Sequence, residues 1–84
     1  MDKQYKLWVK SGCPYCEQAR HELLLKGLAH TVFVMDEQLD ELLEVQNKFE
    51  HKTVPVVVLE SNGEEKLIGG YTELKEHLDE GSDD

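Results

Sequence analysis

The stretch YKLWVKSGCPYC, residues 5–16, decides the reading of this chain. Tyr5 to Lys10 alternates in character and stops at Ser11-Gly12, the pattern of a strand entering a tight loop. Pro14 suits the first position of a helix, because its ring presets φ and its missing N–H is not needed there. A helix from Pro14 to about Lys26 puts Cys16, Ala19, Leu23 and Gly27 on one face, with Gly27 as its stop. Thr31 to Met35 is β-rich and continuously apolar, as expected of a strand buried on both faces. Strand, helix and strand together make a βαβ unit, with parallel strands and a right-handed crossover.

Outward from that unit the pattern continues. Asp36 to Phe49 carries Leu39, Leu42, Leu43, Gln46 and Phe49 at helical spacing, with acids toward its start, where the helix dipole favours them. Thr53 to Leu59 reads as a third strand with Pro55 at its mouth. Ser61-Asn62-Gly63 signals a hairpin, and Glu65 to Ile68 is the returning strand. Gly69-Gly70 breaks it, and Thr72 is expected to cap a last short helix holding Leu74 and Leu78. The order β-α-β-α-β-β-α predicts an α/β fold with a four-stranded mixed sheet and helices on its faces.

Length and composition narrow the function. The chain has 84 residues, enough for a single domain over 1–84 and too few for a large catalytic cavity. Eighteen acids against nine bases give a net charge of −9, which repels phosphate backbones and anionic membranes, so no nucleic-acid or membrane partner is expected. Asp79, Glu80, Asp83 and Asp84 crowd the last six residues, read as a frayed acidic tail. The longest apolar run, Val54 to Leu59, is six residues, where a membrane helix needs about 20. The opening Met-Asp-Lys-Gln-Tyr-Lys lacks the apolar stretch of a secretory signal, so a soluble, cytoplasmic protein is expected.

Cys13 and Cys16 are the only cysteines. A bridge between them closes too small a loop to serve as a stabilising staple. Redox chemistry and half of a metal site are the two remaining uses. At the start of a helix, free N–H groups and the positive end of the dipole favour a thiolate, so Cys13 is expected to have a lowered pKa and to attack. Lys10 adds positive potential, and Arg20 lies in the following helix. Cys16, one turn along and deeper, is expected to resolve. For a metal, His21, His30, His51 and His77 are the other candidate ligands, and none has zinc-site spacing relative to the cysteines. All four are read as surface histidines, and Trp8 as packing.

Three motifs then converge on a known family. Cys13-Pro14-Tyr15-Cys16, Thr53-Val54-Pro55 and Gly69-Gly70-Tyr71-Thr72 stand in the order and approximate spacing found in glutaredoxins. From about Lys6 to Leu78 the chain resembles a small dithiol glutaredoxin of the bacterial glutaredoxin-1 type, such as bacteria and some of their viruses encode. The resemblance implies a thioredoxin-like fold and a glutathione-dependent thiol–disulfide oxidoreductase. It implies Cys13 as nucleophile and Cys16 as resolving thiol, and a cis Val54–Pro55 bond that sets the Val54 backbone beside the cysteines. The Val54 N–H and C=O would then pair with glutathione like one rung of a sheet.

It further implies glutathione contacts at Lys10 and Tyr15, with Lys10 on the glycine carboxylate, and at Thr53, with Lys52 bordering the same groove. Gly70, Tyr71 and Thr72 would clamp the γ-glutamyl end, where N–H groups at a helix start hold a carboxylate. Glu73 stands where many relatives have Asp. The implied co-substrate is glutathione, without a metal. The implied partners are protein disulfides, ribonucleotide reductase among them, and a monomer is expected. The rival readings are a redoxin reduced by thioredoxin reductase, an iron–sulfur or metal-binding module, and an inert interaction domain.

Overall fold

The computed structural model describes residues 3–80. Seven elements follow one another: β1 (Lys3–Val9), α1 (Pro14–Leu25), β2 (His30–Val34), α2 (Leu39–Phe49), β3 (Val56–Ser61), β4 (Glu64–Gly69) and α3 (Tyr71–Asp79). The sheet order is β2-β1-β3-β4. β1 runs parallel to β2 and antiparallel to β3, and β4 returns antiparallel on β3. The turn between β3 and β4 holds Asn62 at φ 56° and Gly63 at φ 83°, the paired left-handed conformation that a tight hairpin requires.

Successive side chains of a strand point to opposite faces, so β1 splits its residues between two cores. Tyr5, Leu7 and Val9 join Val57 and face Cys16, Ala19 and Leu23 of α1 and Leu74 and Leu78 of α3. On the other face Val56 and Val58 pack with Met35 and Leu42, flanked by Trp8, Phe33, Val45 and Phe49. Thus α1 and α3 cover one side of the sheet and α2 the other. Leu7, Leu23, Leu74 and Val57 are fully buried, each stabilising the fold by about 1.5–3 kcal/mol.

Some expectations need correction. The strand at residues 31–35 is an edge strand rather than one buried on both faces, and Val34 is 52% exposed. That description fits β3 instead, an inner strand whose Val56, Val57 and Val58 are all at 0%. β3 starts at Val56, so Thr53, Val54 and Pro55 form a loop ahead of it.

α2 begins at Leu39, because Asp36 is engaged elsewhere: its carboxylate accepts the Ser11 N–H at 2.9 Å and so ties down the loop before Cys13. Of two adjacent apolar ridges on α2, Leu42, Val45 and Phe49 face the sheet, while Leu39 and Leu43 are exposed. Glu80 caps the end of α3, and the tail beyond it lies outside the described residues.

Candidate active site

Cys13 is the N-cap of α1 and Pro14 its first helical residue. The Cys13 Sγ takes the place of a capping oxygen and accepts the Cys16 N–H at 3.2 Å. Cys13 is half-buried, Cys16 is buried, and both are free thiols. Burial is the main reason that the Cys16 thiol is pushed up to about 12. Its hydrogen bond to Cys13 and the charges of Cys13 and Glu17 act in the same direction, while a backbone bond to Lys10 opposes them. The pair therefore divides into one accessible sulfur at a helix start and one protonated sulfur beneath it.

Beside the pair lies a groove of about 250 Å³ bordered by Tyr15, Thr53, Val54, Pro55, Gly70, Tyr71, Thr72 and Glu73. These residues come from three separate stretches, two of them brought together because β3 starts and β4 ends at the same end of the sheet, where Val57 pairs with Gly69. The Val54–Pro55 bond is cis. Tyr15 and Tyr71 stack with ring centroids 6.2 Å apart, joining α1 to the start of α3. Gly70 is buried at the foot of the groove, and a Cβ there would meet Glu73 Oε1 at 3.4 Å and Pro55 O at 3.7 Å.

Gly70, not Thr72, is the N-cap of α3, and Thr72 lies one position inside the first turn. The Glu73 carboxylate turns back to accept the Gly70 N–H at 2.8 Å. That bond holds its carboxyl below the ordinary range. Leu74 N–H is the amide that bonds back to Gly70 O, so helix geometry leaves the Tyr71 and Thr72 amides without a partner inside the helix. Lys10 is exposed just after β1, and its charge acts on Asp36. Lys52 is exposed next to Thr53.

Two supporting residues escaped sequence reasoning. The Gln46 side-chain amide donates to Thr53 O at 3.3 Å, and Gln46 O accepts the His51 N–H at 2.9 Å, so the end of α2 holds the loop ahead of β3. His51 Nε2 shares a 3.2 Å hydrogen bond with Thr53 Oγ1. The only available signal was a histidine two residues before Thr53, which does not by itself distinguish a surface side chain. Of the four histidines only His21 is exposed. His30 bonds Leu28 O at 2.7 Å, and His77 bonds the buried Tyr5 hydroxyl at 3.1 Å.

A larger hollow of about 660 Å³ runs along α1 past Arg20, His21 and His30 to Tyr71, and its lining includes neither cysteine. Among the described residues no group of three or more His, Cys, Asp or Glu side chains is arranged to hold a metal ion. None of the described helices is long and apolar enough to cross a membrane.

The glutaredoxin family profile matches residues 6–64. The chain belongs to the glutaredoxin family. None of the curated proteins searched matches it in sequence. Among solved structures it is similar to glutaredoxin 1 from Francisella tularensis, complexed with cacodylate, at 26% identity and TM-score 0.71, covering 98% of this chain and 99% of that one. It is also similar to a dithiolic glutaredoxin from Trypanosoma brucei brucei, at 30% identity and TM-score 0.71, covering 92% of this chain and 78% of that one.

Maleylacetoacetate isomerase from Anaeromyxobacter dehalogenans, solved with glutathione in its active site, shares the fold at 24% identity and TM-score 0.69. The match covers 94% of this chain and 38% of the isomerase. The fold is thioredoxin-like, and the paired cysteines of this glutaredoxin mark it as a glutathione-related thiol oxidoreductase.

Proposed function

We propose that this glutaredoxin reduces glutathione mixed disulfides and protein disulfides, with glutathione as electron donor. The observation that carries the reading is an N-cap sulfur that accepts the amide of a buried, protonated cysteine, beside a groove of about 250 Å³. In the one-cysteine reaction, the Cys13 thiolate attacks the glutathione sulfur of a mixed disulfide. A Cys13–glutathione disulfide forms and the substrate leaves as a thiolate. A second glutathione thiolate then attacks the bound glutathione sulfur, giving glutathione disulfide and restoring Cys13.

With a protein disulfide, Cys13 first forms a mixed disulfide with one substrate sulfur. Cys16 loses its proton and attacks Cys13 Sγ, releasing the reduced substrate. Two glutathiones then reduce the Cys13–Cys16 disulfide. The electrostatics suit this order. Once Cys13 is in a mixed disulfide it is neutral, and its charge and hydrogen bond no longer hold the Cys16 proton.

In this reading the Val54 backbone pairs with the cysteine of glutathione as one rung of a sheet, with Thr53, Pro55 and Tyr15 alongside. The Tyr71 and Thr72 amides and the Thr72 hydroxyl take the γ-glutamyl carboxylate. Gly70 keeps the groove open and Glu73 braces the turn beneath it. Lys10, reaching past Cys13, serves the glycine carboxylate, with Lys52 as a second cation.

The near-complete mutual coverage with Francisella glutaredoxin 1 supports a bacterial glutaredoxin-1 type, of cellular or viral origin. We assign it to the cytoplasm as a monomer, where the glutathione pool sets the direction of exchange, with ribonucleotide reductase among its protein substrates.

The test is turnover of a small glutathione mixed disulfide and of a protein disulfide by wild type, Cys13→Ser and Cys16→Ser. Cys13→Ser is expected to abolish both, and Cys16→Ser to lose only the second. Loss of both in Cys16→Ser overturns the roles. Parallel assays coupled to glutathione reductase and to thioredoxin reductase identify the electron donor.

A further inference from the structure

The groove has two walls that are far apart in sequence, the loop at 53–55 and the turn at 69–73, and one side chain outside its lining reaches both. His51 Nε2 hydrogen-bonds Thr53 Oγ1 at 3.2 Å and stands 3.6 Å from the point where a Cβ on Gly70 would sit. The imidazole also acts on the Glu73 carboxylate, the group that caps the Gly70 amide. The main chain of His51 is itself fixed. Its N–H bonds Gln46 O, just after Glu50 turns the chain through a left-handed φ of 55°. The ring is therefore delivered by the end of α2 into the space behind the groove rather than hanging from a loose loop.

We propose that His51 is a positioning residue that ties the Thr53 wall to the Gly70–Glu73 wall and so sets the affinity of the groove for glutathione; this rests on glutathione binding there. The physical reason is preorganisation. A ligand bridging two walls loses affinity when either wall must be ordered on binding. Thr53 is held at its carbonyl by Gln46 and at its hydroxyl by His51, so its side chain loses its anchor when the imidazole goes. Among the described residues no hydrogen bond joins His51 to Cys13 or Cys16, so the chemical step is left alone while binding weakens.

The test is steady-state turnover of a small glutathione mixed disulfide, with the mixed disulfide varied at saturating reduced glutathione, by wild type, His51→Ala, His51→Phe and His51→Gln, with melting temperatures alongside. Loss of one hydrogen bond predicts a roughly five- to tenfold rise in KM for the mixed disulfide in His51→Ala, with kcat within about twofold. His51→Phe fills the same space without the hydrogen bond and is expected to match the alanine variant, so the comparison survives if the smaller side chain unfolds the loop. His51→Gln retains an amide for Thr53 and is expected to recover most of the affinity.

A wild-type KM in His51→Ala and His51→Phe overturns the proposal, as does a fall in kcat at unchanged KM, or a glutamine variant no better than alanine. Wild type that fails to turn over glutathione overturns the function itself and this inference with it. Silent His51 variants of an active wild type overturn the inference alone.

Discussion

Gly69→Ala is expected to destabilise the fold by more than its torsion angle explains. Gly69 has φ 128°, and an added Cβ would sit 2.7 Å from both Cβ and Cγ of Glu73. Those atoms are the root of a side chain anchored to α3, so relief requires moving the helix start or breaking the 2.8 Å bond from Gly70 N–H to Glu73. The forced backbone conformation costs about 1–3 kcal/mol, and loss of a cap costs about 0.5–2 kcal/mol.

Gly63→Ala isolates the first of these. It has φ 83° with open space around the added Cβ, so only the left-handed penalty of about 1–2 kcal/mol applies. Each kcal/mol moves Tm by about 4–8 °C in a domain this size, so the lost cap is expected to make Gly69→Ala melt roughly 2–16 °C below Gly63→Ala. Thermal melts followed by circular dichroism measure the difference, and KM for a glutathione mixed disulfide is expected to rise only in Gly69→Ala. Equal melting of the two variants would refute the clash as the cause.

Three further outcomes follow from single groups. Cys16 is raised from an ordinary 9.0 to about 12 in the fold, so its contribution to stability is full below pH 9 and is lost as pH rises toward 12. The Tm difference between wild type and Cys16→Ala is therefore expected to shrink over that range, and a flat difference would contradict a buried neutral thiol. Glu73 has the opposite sign: its carboxyl is held below the ordinary 4.5, so the advantage of wild type over Glu73→Gln, about 0.3–1 kcal/mol at an exposed helix start, is present above that value and fades as pH falls below it. Acid titration of Tm for the two proteins checks this. Leu74→Ala empties a fully buried position between α3 and the sheet and is expected to lower stability by about 2–5 kcal/mol, read from the urea midpoint.

Local patterns carried the element order. The Ser11-Gly12 stop, the Pro14 start and the Asn62-Gly63 turn each act within a few residues, and the structure has a loop, a helix start and a hairpin at those places. The position of Cys13 as N-cap was legible for the same reason, since capping depends on the next turn of chain only. Burial was less legible. Val34 and Val58 look alike in sequence, yet one lies on an edge strand and the other in the middle of the sheet, because strand order depends on pairing between distant segments.

The groove shows the same division. The chain by itself determined which chemistry is available, a thiol pair one helical turn apart with a Thr-Val-Pro and a Gly-Gly downstream, because residue type and short spacing are properties of the covalent chain. Tertiary structure alone decided that the loop at 53–55 meets the turn at 70–73 to make one groove, and that His51 stands beside both. Those contacts form when the paired strands and the end of α2 converge, and no local signal in the chain encodes the convergence.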